Sequence, residues 1–334
     1  MSPHLPLVLT MGDPAGIGPE LTAKAWQARE EKALPAFYVV GAPSVYSGLP
    51  DAPPVETILD PAEAKATYAH AIPVFPIALP APAQLGRPNS ANAPAILESI
   101  RIAVDHCQSG KAGGMVTNPI AKHVLMDAGF THPGHTEYLA ELAGVSRTVM
   151  MLSGGGLRSV PVTIHCALRD VLTRLTATEI VDTGRIVADS LKRGAGIENP
   201  RLAVAGLNPH AGEDGRFGNE DRDIVRPAVE RLRAEGIDAQ GPFPADTMFH
   251  AERRADYDAA ICMYHDQALI PVKTLDFHNG VNITLGMPFI RTSPDHGTAF
   301  DIAGRGIART DSLIAAIRAA HDMRMDLGPD RTHQ

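Results

Sequence analysis

Three strand-like runs end in histidine at the same relative place: "VPVTIH" at His165, "LAVAGLNPH" at His210 and "AAICMYH" at His265. In an open parallel sheet, ligands gather beyond the carboxyl ends of the strands, so imidazoles far apart in sequence can meet there. Three neutral imidazoles suit zinc or a similar divalent metal, with a coordination position left open for substrate. Taken singly, each is more often a hydrogen-bonded histidine at the start of a loop. The repeated placement brings the metal reading level with the bland one. Their long spacing is not a diagnostic motif.

A second set of residues concerns anions. "MGDPAGIGPE" leaves the first strand-like run and opens a helix, with Gly12, Gly16 and Gly18 permitting close backbone approach and Pro19 suited to a first helical turn. It is not a Gly-x-Gly-x-x-Gly fingerprint, and a glycine-rich turn without a ligand explains it equally well. "PGHTEYLAEL" puts His135 and Thr136 at a helix start, as a cap or as side chains turned toward a phosphate. In "VTNPIAKH" Asn118 reads as a cap before Pro119. Lys273, Asn282 and Arg291 follow on successive short segments and can pair with carboxylate or phosphate, although each alone is more often a solvated surface residue.

These residues need a frame. Short β-rich runs alternate with helical patterns, which predicts an α/β fold with a largely parallel sheet. "LPLVLTMG", "FYVVGAP", "GGMVTNP", "SVPVTIH", "RLAVAGLNPH" and "YDAAICMYH" read as strands, and "IPVFPIAL" as an edge strand within a proline-rich stretch. "NAPAILESIRIAVDHC" places Ile96, Ile100, Ala103, Val104 and Cys107 on one helix face, and "TATEIVDTGRIVADSLKRG" is a second amphipathic helix ending in glycine.

Composition excludes several classes. The chain has 334 residues, 44% hydrophobic and 20% charged, with a formal charge of −8 that leaves no basic footprint for nucleic acid. No segment approaches a membrane span and no leader pattern opens the chain, so a cytoplasmic protein is expected. Cys107, Cys166 and Cys262 are too few and scattered for a disulfide framework or a Cys-x-x-Cys metal site.

"RTSPDHGTAFDIAGRGIA" together with "GDPAGIGPE" resembles the signature regions of the metal-dependent decarboxylating dehydrogenases of isopropylmalate and isocitrate. Within that group, "TMGDPAGIGPE", "DAGF" before "GHTE", "VPVTIH", "AGLNPHAGEDG", "GPFPADT", "MYHDQALIPVK" and "GVNITLG" resemble the 4-hydroxythreonine-4-phosphate dehydrogenase family of vitamin B6 biosynthesis over nearly the whole chain. "VTNPIAKHVLMDAGF" departs from the Pro-Val-His-Lys form of many members, and related enzymes act on phosphorylated threonate or erythronate.

The resemblance implies a two-domain α/β/α fold of the isopropylmalate dehydrogenase kind with its active site in the interdomain cleft. The expected domains are 1–130 plus 300–334, and 131–299 with the metal ligands and dimer contacts. It further implies a divalent metal on His165, His210 and His265, and substrate contacts from His135, Thr136, Lys273, Asn282 and Arg291. NAD or NADP would lie on Asp13, Ser293, Asp295, His296, Gly297 and Thr298. Lys273 or Asp246 would accept a proton, and homodimers would share their active sites. The implied reaction oxidises 4-phosphohydroxy-L-threonine to 2-amino-3-oxo-4-phosphooxybutanoate, which decarboxylates to 3-amino-2-oxopropyl phosphate. The other readings are a dehydrogenase of phosphorylated threonate or erythronate, a metal-dependent hydrolase that needs no nucleotide, and a non-catalytic nucleotide-binding regulator, against which the three histidines count.

Overall fold

Apolar runs such as Leu7–Thr10 and Phe37–Gly41 are buried at every position, as strands covered by helices on both faces require. The computed structural model describes residues 5–132 and 134–323. Among them the strands are β1 (Leu7–Thr10), β2 (Phe37–Gly41), β3 (Val55–Thr57), β4 (Ile72–Pro76), β5 (Met115–Val116), β6 (Val149–Gly154), β7 (Leu157–Thr163), β8 (Leu202–Ala205), β9 (Ala239–Phe243), β10 (Ala259–Tyr264), β11 (Val281–Leu285) and β12 (Arg291–Pro294). The chain divides into two α/β units, one made of residues 5–147 and 287–323 and the other of Thr148–Gly286.

The first unit orders its strands β3-β4-β2-β1-β5-β12, all parallel. The helices Gly18–Gln27, Ala93–Gln108 and Asp311–Asp322 accompany it. On Ala93–Gln108 the expected face is the buried one: Ile96, Ile100, Ala103, Val104 and Cys107 are each at most 4% exposed. Truncating Ile100 to alanine there would cost about 2–5 kcal/mol through lost burial and a residual cavity.

Three local expectations are corrected. "IPVFPIAL" is not an edge: β4 lies between β2 and β3, and the edge is the short β3. Pro73 and Pro76 are tolerated because the nitrogen of Pro73 faces β2, whose pairing begins only at Val74, and that of Pro76 faces β3, whose pairing ends at Val74, so neither ladder loses an N–H. Asn118 is not a helix cap, since the next helix, Lys122–Asp127, starts only after Ala121. The domain boundaries also move. Residues 131–147 and 287–299 belong to the first unit, because β12 pairs in parallel with β5, Arg291 beside Met115, and the helix His135–Ala143 packs on Ala93–Gln108. Residues 324–334, expected in the first domain, lie outside the described residues.

The second unit orders its strands β11-β6-β7-β10-β8-β9. The β11–β6 and β6–β7 pairs are antiparallel, and β7, β10, β8 and β9 run parallel. The helix Ala177–Ala195 is capped by Thr176, whose Oγ1 accepts the Glu179 N–H at 3.1 Å. It continues through the buried Gly194 and stops at Gly196, which adopts the left-handed conformation at φ 64°. No described helix is long and apolar enough to cross a membrane.

Candidate active site

Because β10 sits between β7 and β8 and all three are parallel, the segments carrying the three histidines leave the sheet at one edge. Tyr264 is in register with Thr163, so His265, the next residue, and His165, two residues on, leave neighbouring strands side by side. Their ring centroids are 5.8 Å apart. Both line a cavity of about 420 Å³ whose walls include Ile164, Cys166, Val171 and Tyr264. His265 Nδ1 stands 2.8 Å from Asp266 Oδ1, a pairing that leaves Nε2 as the nitrogen that could ligate a metal.

β10 stops at His265 because the helix His265–Leu275 begins there, with Tyr264 as the last extended residue. The Gln267 side chain folds back over this junction, accepting the Met263 N–H at 2.6 Å and donating to the Gly206 carbonyl at 2.8 Å. Lys273 lies two turns further along the helix, half-buried, with its Nζ 5.8 Å from the Phe277 ring centroid.

His210 is held differently. It lies in the turn Pro209–Gly215, where residues 210–214 all have positive φ between 40° and 78°. For a non-glycine residue this conformation costs about 1–2 kcal/mol, so it persists only where surrounding bonds impose it. The imidazole is exposed and its ring centroid stands 5.8 Å from that of Phe217. Among the described residues no three His, Cys, Asp or Glu side chains stand together as a metal cluster. The structure brings His165 and His265 together and leaves the His210 ring apart from them. The donor chemistry still suits a divalent cation: two adjacent imidazoles, one fixed by a carboxylate, and a third anchored at the same sheet edge with its side chain exposed. Asp246, in the turn Ala245–Thr247, is exposed, and Asn282 on β11 is half-buried.

The polar groups of the first unit are mostly buried. Beyond the parallel strands β1, β5 and β12 come Asp13, then Thr117 and Asn118, then Asp295 to Thr298. Asp13 is 2% exposed; its Oδ1 accepts the Ala15 N–H at 2.9 Å, while its buried Oδ2 has no partner. Burial pushes its carboxyl above the ordinary range, opposed by the Ala15 N–H and by the charge of His123. Arg291, 4% exposed, donates from Nη2 to Thr117 Oγ1 at 2.7 Å, and burial lowers its pKa to about 10.

His135 opens the helix His135–Ala143, and its Nε2 is buried without a partner. Burial first, and then the Arg291 charge, hold its pKa well below the usual histidine value, so the ring is neutral at pH 7. Thr136, the next residue, is half-buried. His296 has its Nδ1 3.1 Å from the Gly297 carbonyl and its Nε2 buried without a partner, and Ser293 is 8% exposed. Buried polar atoms left without partners are rare in folded proteins, and those of Asp13, His135 and His296 are where a ligand's polar groups can be accepted.

The glycine-rich turn is explained by the chain itself. A Cβ at Gly12, whose φ is +70°, would lie 2.7 Å from Asn118 Cβ and from the Pro119 carbonyl oxygen. At Gly16 a Cβ would come within 3.0 Å of the Thr298 carbonyl oxygen, which accepts the Ile17 N–H. Asn118 is the brace at this point, with Nδ2 donating to the Thr10 carbonyl at 3.0 Å and to Thr22 Oγ1 at 2.9 Å. Asn118 in this role, and Thr117, Asp221 and Gln267, carry no sequence signal. Nothing in a linear pattern distinguishes a buried bridging amide from a surface one.

Residues 35–320 match the family model described as pyridoxal phosphate biosynthetic protein PdxA. The 4-hydroxythreonine-4-phosphate dehydrogenase of Bradyrhizobium diazoefficiens is 54% identical over 95% of this chain and 96% of the relative. That of Caulobacter vibrioides is 52% identical over 94% and 96%. Among solved structures, the 4-hydroxythreonine-4-phosphate dehydrogenase from Klebsiella pneumoniae superposes with a TM-score of 0.86 at 38% identity, covering 95% of this chain and 98% of that one. A terephthalate 1,2-cis-dihydrodiol dehydrogenase from Burkholderia xenovorans LB400 reaches 0.68 at 29% identity, covering 96% and 98%. With the family model spanning most of the chain and relatives above half identity along nearly its full length, the chain belongs to the PdxA family of pyridoxal phosphate biosynthetic proteins.

Proposed function

We propose that the protein oxidises 4-phosphohydroxy-L-threonine to 2-amino-3-oxo-4-phosphooxybutanoate with NAD or NADP, and that this product decarboxylates to 3-amino-2-oxopropyl phosphate on the way to pyridoxine 5'-phosphate. The observation that carries the reading is the placement of His165, His210 and His265 beyond one edge of three adjacent parallel strands, in a chain of this family. These three histidines would hold a zinc, magnesium or cobalt ion, which when bound supplies Lewis-acid polarisation of the substrate's oxygens. The dinucleotide, held by Asp13, Ser293, Asp295, His296, Gly297 and Thr298, supplies the hydride acceptor.

The remaining work falls to side chains. Arg291 is a buried guanidinium suited to an anionic group, and the neutral His135 beside it offers a hydrogen bond without adding charge. Thr136, Asn282 and Lys273 complete the substrate contacts. As the C3 hydroxyl becomes a carbonyl, its hydrogen leaves carbon as hydride and its hydroxyl proton passes to Lys273 or Asp246. The protein acts as a homodimer with shared active sites.

The test is a matrix of assays with 4-phosphohydroxy-L-threonine and phosphorylated threonate and erythronate, each with NAD and NADP and with each cation. Reduced dinucleotide should form fastest from 4-phosphohydroxy-L-threonine and should vanish with a chelator. Faster turnover of a phosphorylated sugar acid would reassign the substrate, and full activity in chelator would remove the metal.

A further inference from the structure

We propose that Asp221 and Gln267 are positioning residues, which fix the backbone carrying His210 and His265 in the arrangement that captures the divalent cation. The inference rests on the metal role proposed above. Asp221 is only 1% exposed, yet both of its carboxylate oxygens are engaged: Oδ1 accepts the Leu207 N–H at 2.7 Å, and Oδ2 accepts the Asn208 backbone N–H and an N–H of Asn208 Nδ2 at 3.0 Å each. Asn208 Nδ2 also donates to Glu220 Oε2 at 2.9 Å. These bonds grip the chain just after β8 ends at Ala205 and just before the left-handed turn that contains His210.

Gly206 makes the grip possible. A Cβ there would lie 2.9 Å from Asp221 Oδ1 and 2.8 Å from Ala211 Cα. The carbonyl of the same Gly206 is taken by Gln267 Nε2, whose partner atom Oε1 holds the Met263 N–H near the end of β10. One amide on the helix that starts at His265 therefore ties the exit of β8 to the exit of β10, beyond the ladder bonds that join the strands themselves. The backbone of the His210 turn is fixed from two sides while its imidazole stays exposed. That is the arrangement needed to present a ligand without letting its loop wander.

The substitutions separate these bonds. In Asp221→Asn the single carboxamide oxygen cannot serve both backbone N–H groups, and its NH2 faces a donor. In Gln267→Glu the acceptor for Met263 survives, but a carboxylate oxygen replaces the donor to Gly206. Cobalt(II) is titrated calorimetrically into the metal-stripped full chain of wild type, D221N, Q267E and H210A, and thermal midpoints without metal are recorded alongside. Both positioning variants should bind cobalt about 10–100-fold more weakly than wild type, the range seen when groups behind metal ligands are removed. Wild-type affinity in D221N and Q267E, with H210A impaired, would overturn the proposal and leave the metal reading standing. Wild-type affinity in H210A would remove the metal reading and this role with it. If D221N does not fold, Q267E decides, because Gln267 is only half-buried and its substitution leaves the Asp221 bonds in place.

Discussion

The strand ends of the two units solve opposite problems. In the first, Asp13, Asn118 and Arg291 are at most 4% exposed, their positions set by hydrogen bonds within the chain, and burial disfavours the charges of Asp13 and Arg291. In the second, His165 and His210 are exposed, and the buried groups are those behind them, Asp221 above all. The first arrangement is preorganised: its polar atoms are already desolvated, so a ligand's polar groups would meet them without a further desolvation penalty on the protein side. The second leaves the His165 and His210 imidazoles in water with their backbones fixed, so a cation bound there would supply their final ordering.

The largest effect should come from the exposed side. His165→Ala and His265→Ala should each reduce oxidation to background and lower bound metal, measured by steady-state assay and metal analysis. If the two positions serve one site from different chains, a mixed dimer of inactive H135A and H265A subunits should regain one intact site and up to about half the activity of a wild-type dimer, so an equimolar mixture should recover up to about a quarter. No recovery with subunit exchange established by mass spectrometry would place both residues in the same chain's site.

On the buried side the effect should be smaller and of a different kind. Arg291→Ala removes a charge-assisted hydrogen bond worth about 1.5–3 kcal/mol, so KM for the phosphorylated substrate should rise about 10–100-fold while kcat changes less. Lys273→Ala should show the reverse split if the lysine accepts the proton, with kcat down about 100-fold or more. Equal losses in kcat and kcat/KM for Arg291→Ala would mean that its contact forms only in the transition state, which contradicts a preorganised anion anchor.

The smallest effect concerns pH. His135 and His106 both have folded pKa values below the unfolded value of about 6.5, in each case through burial first. His106 is further lowered by Lys111 and raised by Asp105 and Asp60, and its Nδ1 lies 2.9 Å from the Tyr38 hydroxyl. A histidine kept neutral by the fold contributes stability that is present above pH 6.5 and is lost as pH falls from there toward its folded pKa. The thermal midpoint should therefore drop between pH 7 and 5.5, and less steeply in His135→Gln. An unchanged slope in that variant would mean that His135 is not kept neutral.

Much of the frame was legible because periodicity reports burial directly. "LVLT", "FYVV" and "AAICMY" could only be interior strands, and the Ile96 to Cys107 face could only be a core helix face. Less legible were β3, β6, β9, β11 and β12, which are short or alternate weakly, and β5, which keeps only Met115 and Val116. The edge assignment for β4 fails because proline content does not report a position in the sheet: each proline has only to turn its nitrogen toward a neighbour that does not pair there.

By itself the sequence determined the α/β class and the family, and it marked three histidines that follow strand-like runs, since residue type and local period survive without knowledge of the fold; His210 stands in a turn five residues beyond β8 and not at the strand's end. Tertiary structure decided that β10 lies between β7 and β8, so that those strand ends share an edge. It also decided that β12 joins β5, which carries Arg291 into the first unit, and that Asp221 and Gln267 hold the turn after β8. Strand order and long-range hydrogen bonds depend on which segments meet in space, and residues far apart in the chain leave no mark of that meeting in their local pattern.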